Sequence, residues 1–293
     1  MVDVIDVVHF TDPGCPWAYS AAPAHTTLRW RYGDGLRWKL VTIGLAEDAS
    51  RYARSGRTPT SAALGWLGFR RFGMPFAIAP KPRLGATSPG CRAIVATRLD
   101  APGHEQAALR ALQFAQFTTP GLLDDPATLR SALAAVPGLD ADAIVARIDD
   151  PDVLEAYEVD RARARAAAGS PAEAQGRTAN TDGAVRYTAP SLVFEGEDGL
   201  RLEVGGFQAL EAYDVVVANL DPALERRPPP DGPLDVLAAF PYPLATAEVA
   251  AVMAEHLEVP DPAAAEAALV AAVGAGSAVR LPAGDGSLWA VAG

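Results

Sequence analysis

The stretch His9-Phe10-Thr11-Asp12-Pro13-Gly14-Cys15-Pro16-Trp17-Ala18-Tyr19 sets a cysteine between a glycine turn and a proline. The thiolate is the nucleophilic form of cysteine. At a helix start, the free first-turn amides and the positive end of the helix dipole stabilise that anion. Pro16 suits the first helical position, where its missing N–H would have had no partner. This placement predicts a Cys15 that titrates at roughly 3.5–7.5 rather than about 8.5. A lone cysteine otherwise packs as a small hydrophobe. The strand-to-helix turn favours the reactive reading, because α/β folds build sites at the carboxyl ends of their strands. Thr11 is placed to donate its hydroxyl to the sulfur. Asp12 either closes the turn by an Asx hydrogen bond or works as an acid/base near the thiol. Trp17 and Tyr19 either line an aromatic groove or cover the helix.

Cys91, in Ser88-Pro89-Gly90-Cys91, falls in the first turn of another helix. It is a buried structural cysteine, or a partner for Cys15 if the Cα atoms lie within about 7 Å. His9, His25, His104 and His256 are scattered with no metal-ligand spacing, so no metal site is expected. His9 reads as a core histidine on the first strand. Phe69-Arg70-Arg71-Phe72-Gly73-Met74-Pro75-Phe76, followed by Lys81 and Arg83, is the most basic stretch of the chain. It is a solvated loop or a lid that meets an anionic substrate. Neither a phosphate-binding glycine loop nor a Gly-x-Ser-x-Gly elbow occurs.

The elements that must hold these residues follow from periodicity. Val4–Phe10 reads as a buried strand, Pro16–Tyr32 as a helix and Leu36–Ile43 as a second strand, a β-α-β opening that favours a parallel pair. Helical spacing then predicts Thr60–Phe72, Pro89–Leu99, Glu105–Phe117, Pro126–Ala135, Ala141–Ile148 and Asp152–Ala168. Strand signal returns at Ser191–Glu195 and Leu200–Val204, joined by Gly196-Glu197-Asp198-Gly199, and a last helix is expected over Phe207–Asn219. Arg226–Pro233 is a linker by composition. Beyond it, three helices and two short strands (Ala278–Leu281 and Leu288–Val291) resemble a winged helix.

The chain has 293 residues and a formal charge of −11. Hydrophobic residues make up 49% and charged residues 21%, which excludes a disordered or collagen-like chain. No apolar run reaches the roughly 18–20 residues of a membrane helix, and acidic Met1–Asp6 does not read as a leader. Two cysteines do not make a disulfide framework, so a cytoplasmic setting is expected. From Gly232 onward seven acidic residues face a single Arg280, which argues against nucleic acid as a partner.

Asp12-Pro13-Gly14-Cys15-Pro16-Trp17-Ala18-Tyr19 resembles the active-site stretch of DsbA-like thioredoxin-fold proteins, in particular the FrnE-like branch. Ala189-Pro190-Ser191-Leu192-Val193-Phe194 resembles that family's cis-proline and following strand, and Gly205-Gly206-Phe207-Gln208 its glycine-rich start of the last helix. The resemblance covers about residues 3–220. It implies an α/β thioredoxin-like fold formed by residues 1–48 and 180–226, with a helical insertion over 49–179. Residues 227–233 would be the linker, and 234–293 the small winged-helix-like segment. It implies Cys15 as the nucleophile of thiol–disulfide exchange, with Thr11, Pro16, Trp17, Ala189 and Pro190 bordering the substrate. Gly206, Phe207 and Gln208 would meet a small thiol. The family's second cysteine is replaced by Ala18, so no internal disulfide can close there. A small thiol such as glutathione or mycothiol, acting as co-substrate rather than bound cofactor, would then resolve the mixed disulfide. Related kappa-type glutathione transferases and 2-hydroxychromene-2-carboxylate isomerases, which usually carry serine near this position, supply a second reading. A non-catalytic peptide- or thiol-binding module is a third. The expected partners are a small thiol or a disulfide-bearing substrate, with neither nucleic acid nor membrane, and a homo-oligomer is allowed.

Overall fold

The computed structural model describes residues 4–293. The reading of the first three residues as part of an acidic, non-leader N-terminus falls outside them. In chain order the elements begin with β1 (Ile5–Thr11), α1 (Pro16–Ser20), α2 (Ala22–Tyr32) and β2 (Leu36–Thr42). The insertion carries α3 (Ser50–Arg54), α4 (Pro59–Leu67), α5 (Ser88–Asp100), α6 (Glu105–Thr118), α7 (Pro126–Leu133), α8 (Ala141–Ala146), α9 (Pro151–Ala164) and α10 (Pro171–Ala174). A two-residue hairpin, β3 (Thr178–Ala179) with β4 (Arg186–Tyr187), leads to β5 (Ser191–Glu195), β6 (Arg201–Gly205) and α11 (Leu210–Leu220). The C-terminal unit is α12 (Pro233–Ala238), β7 (Leu244–Ala245), α13 (Thr246–Met253), α14 (Pro262–Gly274), β8 (Ala278–Ala283) and β9 (Gly286–Val291).

The main sheet has the order β2-β1-β5-β6. β1 runs parallel to β2, with Ile5 opposite Leu36 and Thr11 opposite Thr42, and antiparallel to β5. β1 is apolar on both faces because the sheet is covered on both sides. Its alternation assigns the faces. Ile5 and Val7 pack with Leu28 of α2 and Tyr213 of α11. Val8 and Phe10 pack with Cys15, Ala18 and the Ala164–Ala172 end of the insertion.

The expected single helix Pro16–Tyr32 is broken at Ala21. Pro23, in the first turn of α2, has no N–H to offer the carbonyl four residues back, so α1 stops and α2 restarts. The helix predicted over Thr60–Phe72 ends at Leu67 and is followed by a 3-10 turn, Arg70–Phe72. Thr58 and Ser61 form its capping box. The last helix starts at Leu210 rather than Phe207.

The C-terminal unit follows helix–strand–helix–helix–strand–strand order with a β7-β9-β8 sheet, the connectivity of a winged helix. It does not hang free. Trp30 of α2 enters its core beside Val249, Leu269 and Trp289. Glu248 of α13 accepts hydrogen bonds from Thr26 of α2 (2.8 Å) and Arg110 of α6 (2.6 Å). The wing tip is docked on the insertion: Asp285 receives the Phe76 amide (2.7 Å) and gives its own amide to the Phe76 carbonyl (3.0 Å). Gly284 there has φ +55°, and a Cβ would lie 2.5 Å from the Phe76 carbonyl carbon, so only glycine fits. The segment expected as a linker has no regular structure but lies against α2. Pro228 accepts from the Trp30 indole (2.9 Å) and Arg227 covers the Trp30 ring.

Candidate functional site around Cys15

Three chain segments converge on Cys15. β1 delivers the turn Asp12–Gly14, α1 starts at Pro16, and the loop before β5 brings Ala189. The Ala189–Pro190 peptide is cis. The Cys15 thiol donates to the Ala189 carbonyl at 3.1 Å. Gly14 is required by close approach: a Cβ there would meet Thr87 Cγ2 at 2.3 Å.

The ionisation expected of Cys15 is not what the surroundings favour. The residue is 6% exposed, packed among Phe10, Ala18, Tyr187 and Ala189. Burial pushes the thiol up to about 12; the amides of Ala18 and Trp17 pull it down, and the charge of Asp12 adds to the rise. The helix-start amides are present as the sequence implied, but desolvation of a sulfur anion outweighs them. In the resting protein Cys15 is therefore a hydrogen-bonded thiol.

Asp12 does more than close the turn. One oxygen accepts the Gly14 amide (2.8 Å), the predicted Asx bond. The other accepts from the Leu45 amide (2.7 Å), the Thr87 hydroxyl (2.9 Å) and the Cys91 thiol (3.5 Å). Burial raises its pKa against those donors. Asp12 thus ties the Cys15 turn to the exit of β2 and the start of α5. Its partners lie 33, 75 and 79 residues away, beyond the reach of any local pattern.

Thr11 does not reach the sulfur. Its hydroxyl is buried without a hydrogen-bond partner. Strand alternation explains this: Phe10 faces the Cys15 side of the sheet, so Thr11 points to the other. Cys91 and Cys15 are both free and buried, which rules out a bond between them in this structure. His9 is buried against His25, with ring centroids 4.8 Å apart, and its pKa is depressed by desolvation. Tyr19 is a structural anchor; its hydroxyl donates to the Pro75 carbonyl (2.9 Å) and its ring stacks on Phe117. Among the described residues no group of three His, Cys, Asp or Glu side chains gathers to hold a metal ion.

Two surfaces flank the thiol. Trp17, 41% exposed, meets Phe69 at 4.8 Å and Phe207 at 5.5 Å, and Phe72 lies tilted against Phe207 at 4.6 Å. These rings form an aromatic shelf. On the other flank a cleft of about 60 Å³ has Gly14 and Pro16 on its rim and Tyr52, Arg57, Lys81 and Arg83 in its walls. The basic stretch expected as a lid spends most of its charge internally. Arg70 pairs with Asp285 (2.7 Å) and Arg83 with Asp124 (2.7 Å). Lys81 is buried on Gln116 and the Gly121 carbonyl, and its pKa falls to about 8 through burial. Arg57, which the sequence did not single out, forms no ion pair among the described residues. Gly206 and Gln208 serve the loop itself: the Gly206 amide donates to Ser191 (3.1 Å) and the Gln208 amide group to the Gly205 carbonyl (2.9 Å). Phe207 borders the site through its contact with Trp17.

With this geometry in place, comparison with solved structures decides the architecture. Alignment finds a candidate protein disulfide isomerase from Nitrosomonas europaea at TM-score 0.57, 18% identity, covering 74% of this chain and 97% of the other. The chain has a DsbA-like thioredoxin fold. A candidate DsbA oxidoreductase from Streptomyces coelicolor matches at TM-score 0.54 and 18% identity, over 75% of this chain and 91% of that one. The cytosolic disulfide reductase DsbM from Pseudomonas aeruginosa matches at 0.50 and 17%, over 73% and 99%. No protein-family model and no curated protein matches the sequence. At this identity the likeness speaks to the fold, and the chemistry rests on the residues. No helix among the described residues is long and apolar enough to cross a membrane.

Proposed function

We propose that this DsbA-like thioredoxin-fold protein carries out thiol–disulfide exchange through Cys15 alone, in a cytoplasmic setting. The observation that carries the reading is the Cys15 thiol against the carbonyl before Pro190, with alanine where a resolving cysteine would stand. The Cys15 thiolate attacks a mixed disulfide between a substrate and a small thiol. A new sulfur–sulfur bond forms to Cys15 as the old one breaks, and the departing substrate thiolate takes a proton. A second small thiolate then attacks the Cys15 adduct, leaving as the small-thiol disulfide and restoring Cys15. The substrate sulfur gains one electron and the incoming small thiol loses one; the small-thiol sulfur already in the mixed disulfide keeps its oxidation level in the released disulfide. Arg57 in the lining of the cleft favours glutathione, which is anionic, over the uncharged mycothiol as the small thiol. The Trp17–Phe207 shelf offers apolar surface to the substrate portion.

The raised Cys15 pKa supports one rival: a small-thiol-dependent transferase or isomerase in which the protonated Cys15 donates to the sulfur of a bound thiolate. Intact-mass measurement after exposure to glutathione disulfide separates the two. Exchange predicts one adduct on wild type, none on Cys15→Ser, and its removal by glutathione. The rival predicts saturable glutathione binding with no adduct. Absence of both in the folded protein at pH 9, with adducts forming once it is unfolded, refutes the exchange reading and leaves a non-catalytic module.

A further inference from the structure

We propose that the space between α6, α7 and the C-terminal wing is a binding site for an uncharged, mainly hydrocarbon small molecule. Ala107, Ala111 and Ala115 lie four residues apart on one face of α6 and line a cavity of about 540 Å³. Ser131 of α7 belongs to its lining, and Leu281 and Leu288 of the wing contribute apolar walls from a different unit of the chain. The space is partly open to solvent, and its volume falls within the roughly 300–1,000 Å³ typical of ligand pockets. Alanines on α6 make the room, and the wing, held by Asp285 on the Phe76 backbone, keeps the facing wall in place.

The lining also sets the ligand's charge. Among the described residues that line it, Asp125 is the only charged one. Both of its oxygens are engaged, by the Ala127 amide (3.1 Å) and the Thr128 hydroxyl (2.9 Å). Thr118 and Thr119 donate to the Phe114 and Ala115 carbonyls, so their protons are committed too. An anionic ligand would lose its hydration and find no counter-charge, and a cation would find only Asp125, whose two oxygens already accept hydrogen bonds. A neutral apolar molecule meets no such cost.

The test titrates the whole protein with N-phenyl-1-naphthylamine, a neutral probe that brightens in apolar surroundings. Wild type should bind one equivalent saturably. Ala111→Phe and Ala115→Leu fill the cavity and should each weaken binding by about tenfold or more. Melting temperature establishes that each variant is folded, and Ala115→Leu, the smaller change, carries the comparison if Ala111→Phe unfolds. Decanol should displace the probe at a concentration about tenfold lower than decanoate at pH 8. No saturable binding to wild type, equal binding to the folded variants, or decanoate competing as well as decanol would each overturn the proposal.

Discussion

Raising the pH from 7 to 10 should turn Cys15 from a nearly inert thiol into a reactive one, with no plateau in between. With its pKa held at about 12, only about one molecule in 10⁵ carries the thiolate at pH 7, against about 3% for a free cysteine. The more basic thiolate is intrinsically a better nucleophile, by about 40-fold over some 3.5 pKa units at a Brønsted slope of about 0.45. The two effects leave alkylation about 100-fold slower than that of free cysteine at pH 7. Steric burial slows the reaction further but equally at every pH, so the slope is the diagnostic. Iodoacetamide labelling followed by peptide mass mapping, which separates Cys15 from Cys91, should give a rate rising about tenfold per pH unit up to pH 10. A rate that levels off below about pH 9 would refute the argument that desolvation outweighs the helix-start amides.

The same shift affects stability. A thiol whose pKa is raised by folding contributes fully below about 8.5 and loses that contribution as pH climbs toward the folded value, at up to about 1.4 kcal/mol per unit. The urea midpoint of wild type should therefore fall more steeply between pH 9 and 10.5 than that of Cys15→Ala; parallel slopes would contradict it. Asp12→Asn, which places amide protons among the donors gathered on Asp12, should cost about 2–4 kcal/mol in urea unfolding and bring the onset of Cys15 alkylation to lower pH. An unchanged onset would show that the Asp12 charge does not act on the thiol. Ala18→Cys restores a pair three residues apart in one helical turn, a spacing that fits the roughly 4.4–6.8 Å Cα separation of a disulfide. Mild oxidation should then remove two titratable thiols, whereas retention of both would mean that the turn no longer has the geometry. Glu248→Ala leaves Arg110 buried without its partner and should cost about 3–5 kcal/mol, read by chemical denaturation. A loss below about 1 kcal/mol would mean that the buried pair contributes little.

Local pattern made the β-α-β opening, most of the insertion helices and the connectivity of the C-terminal unit legible, because each rests on periodicities of two or 3.6. The break at Ala21 was missed although Pro23 marks it, and the hairpin β3–β4 gave no signal because its two-residue strands are too short to show alternation. At the site the sequence placed Cys15, Pro16 and Trp17 correctly relative to one another. It misjudged the ionisation of Cys15 because the groups that dry the sulfur, Tyr187 and Ala189 above all, join it only through the tertiary fold. Phe69 lay in the stretch read as a loop or lid, and it meets Trp17, whereas Arg57 was out of reach as a site residue, since nothing local marks where the insertion turns back toward α1.

An ordinary helix on the outside of a two-layer domain keeps one wet stripe, which tolerates almost any polar replacement. α2 has little of one: His25, Leu28 and Tyr32 face the sheet side, while Thr26 and Trp30 are claimed by the C-terminal unit and Arg31 by Asp214 of α11. The C-terminal unit thus supplies one of the walls that α2 is built to meet. A chain ending at residue 226 would turn the apolar Trp30 ring to water and leave the Thr26 hydroxyl to solvent, so changes on α2 must fit α13. The two parts are inherited as one object, and shuffling either into another protein would require rewriting the helix they share.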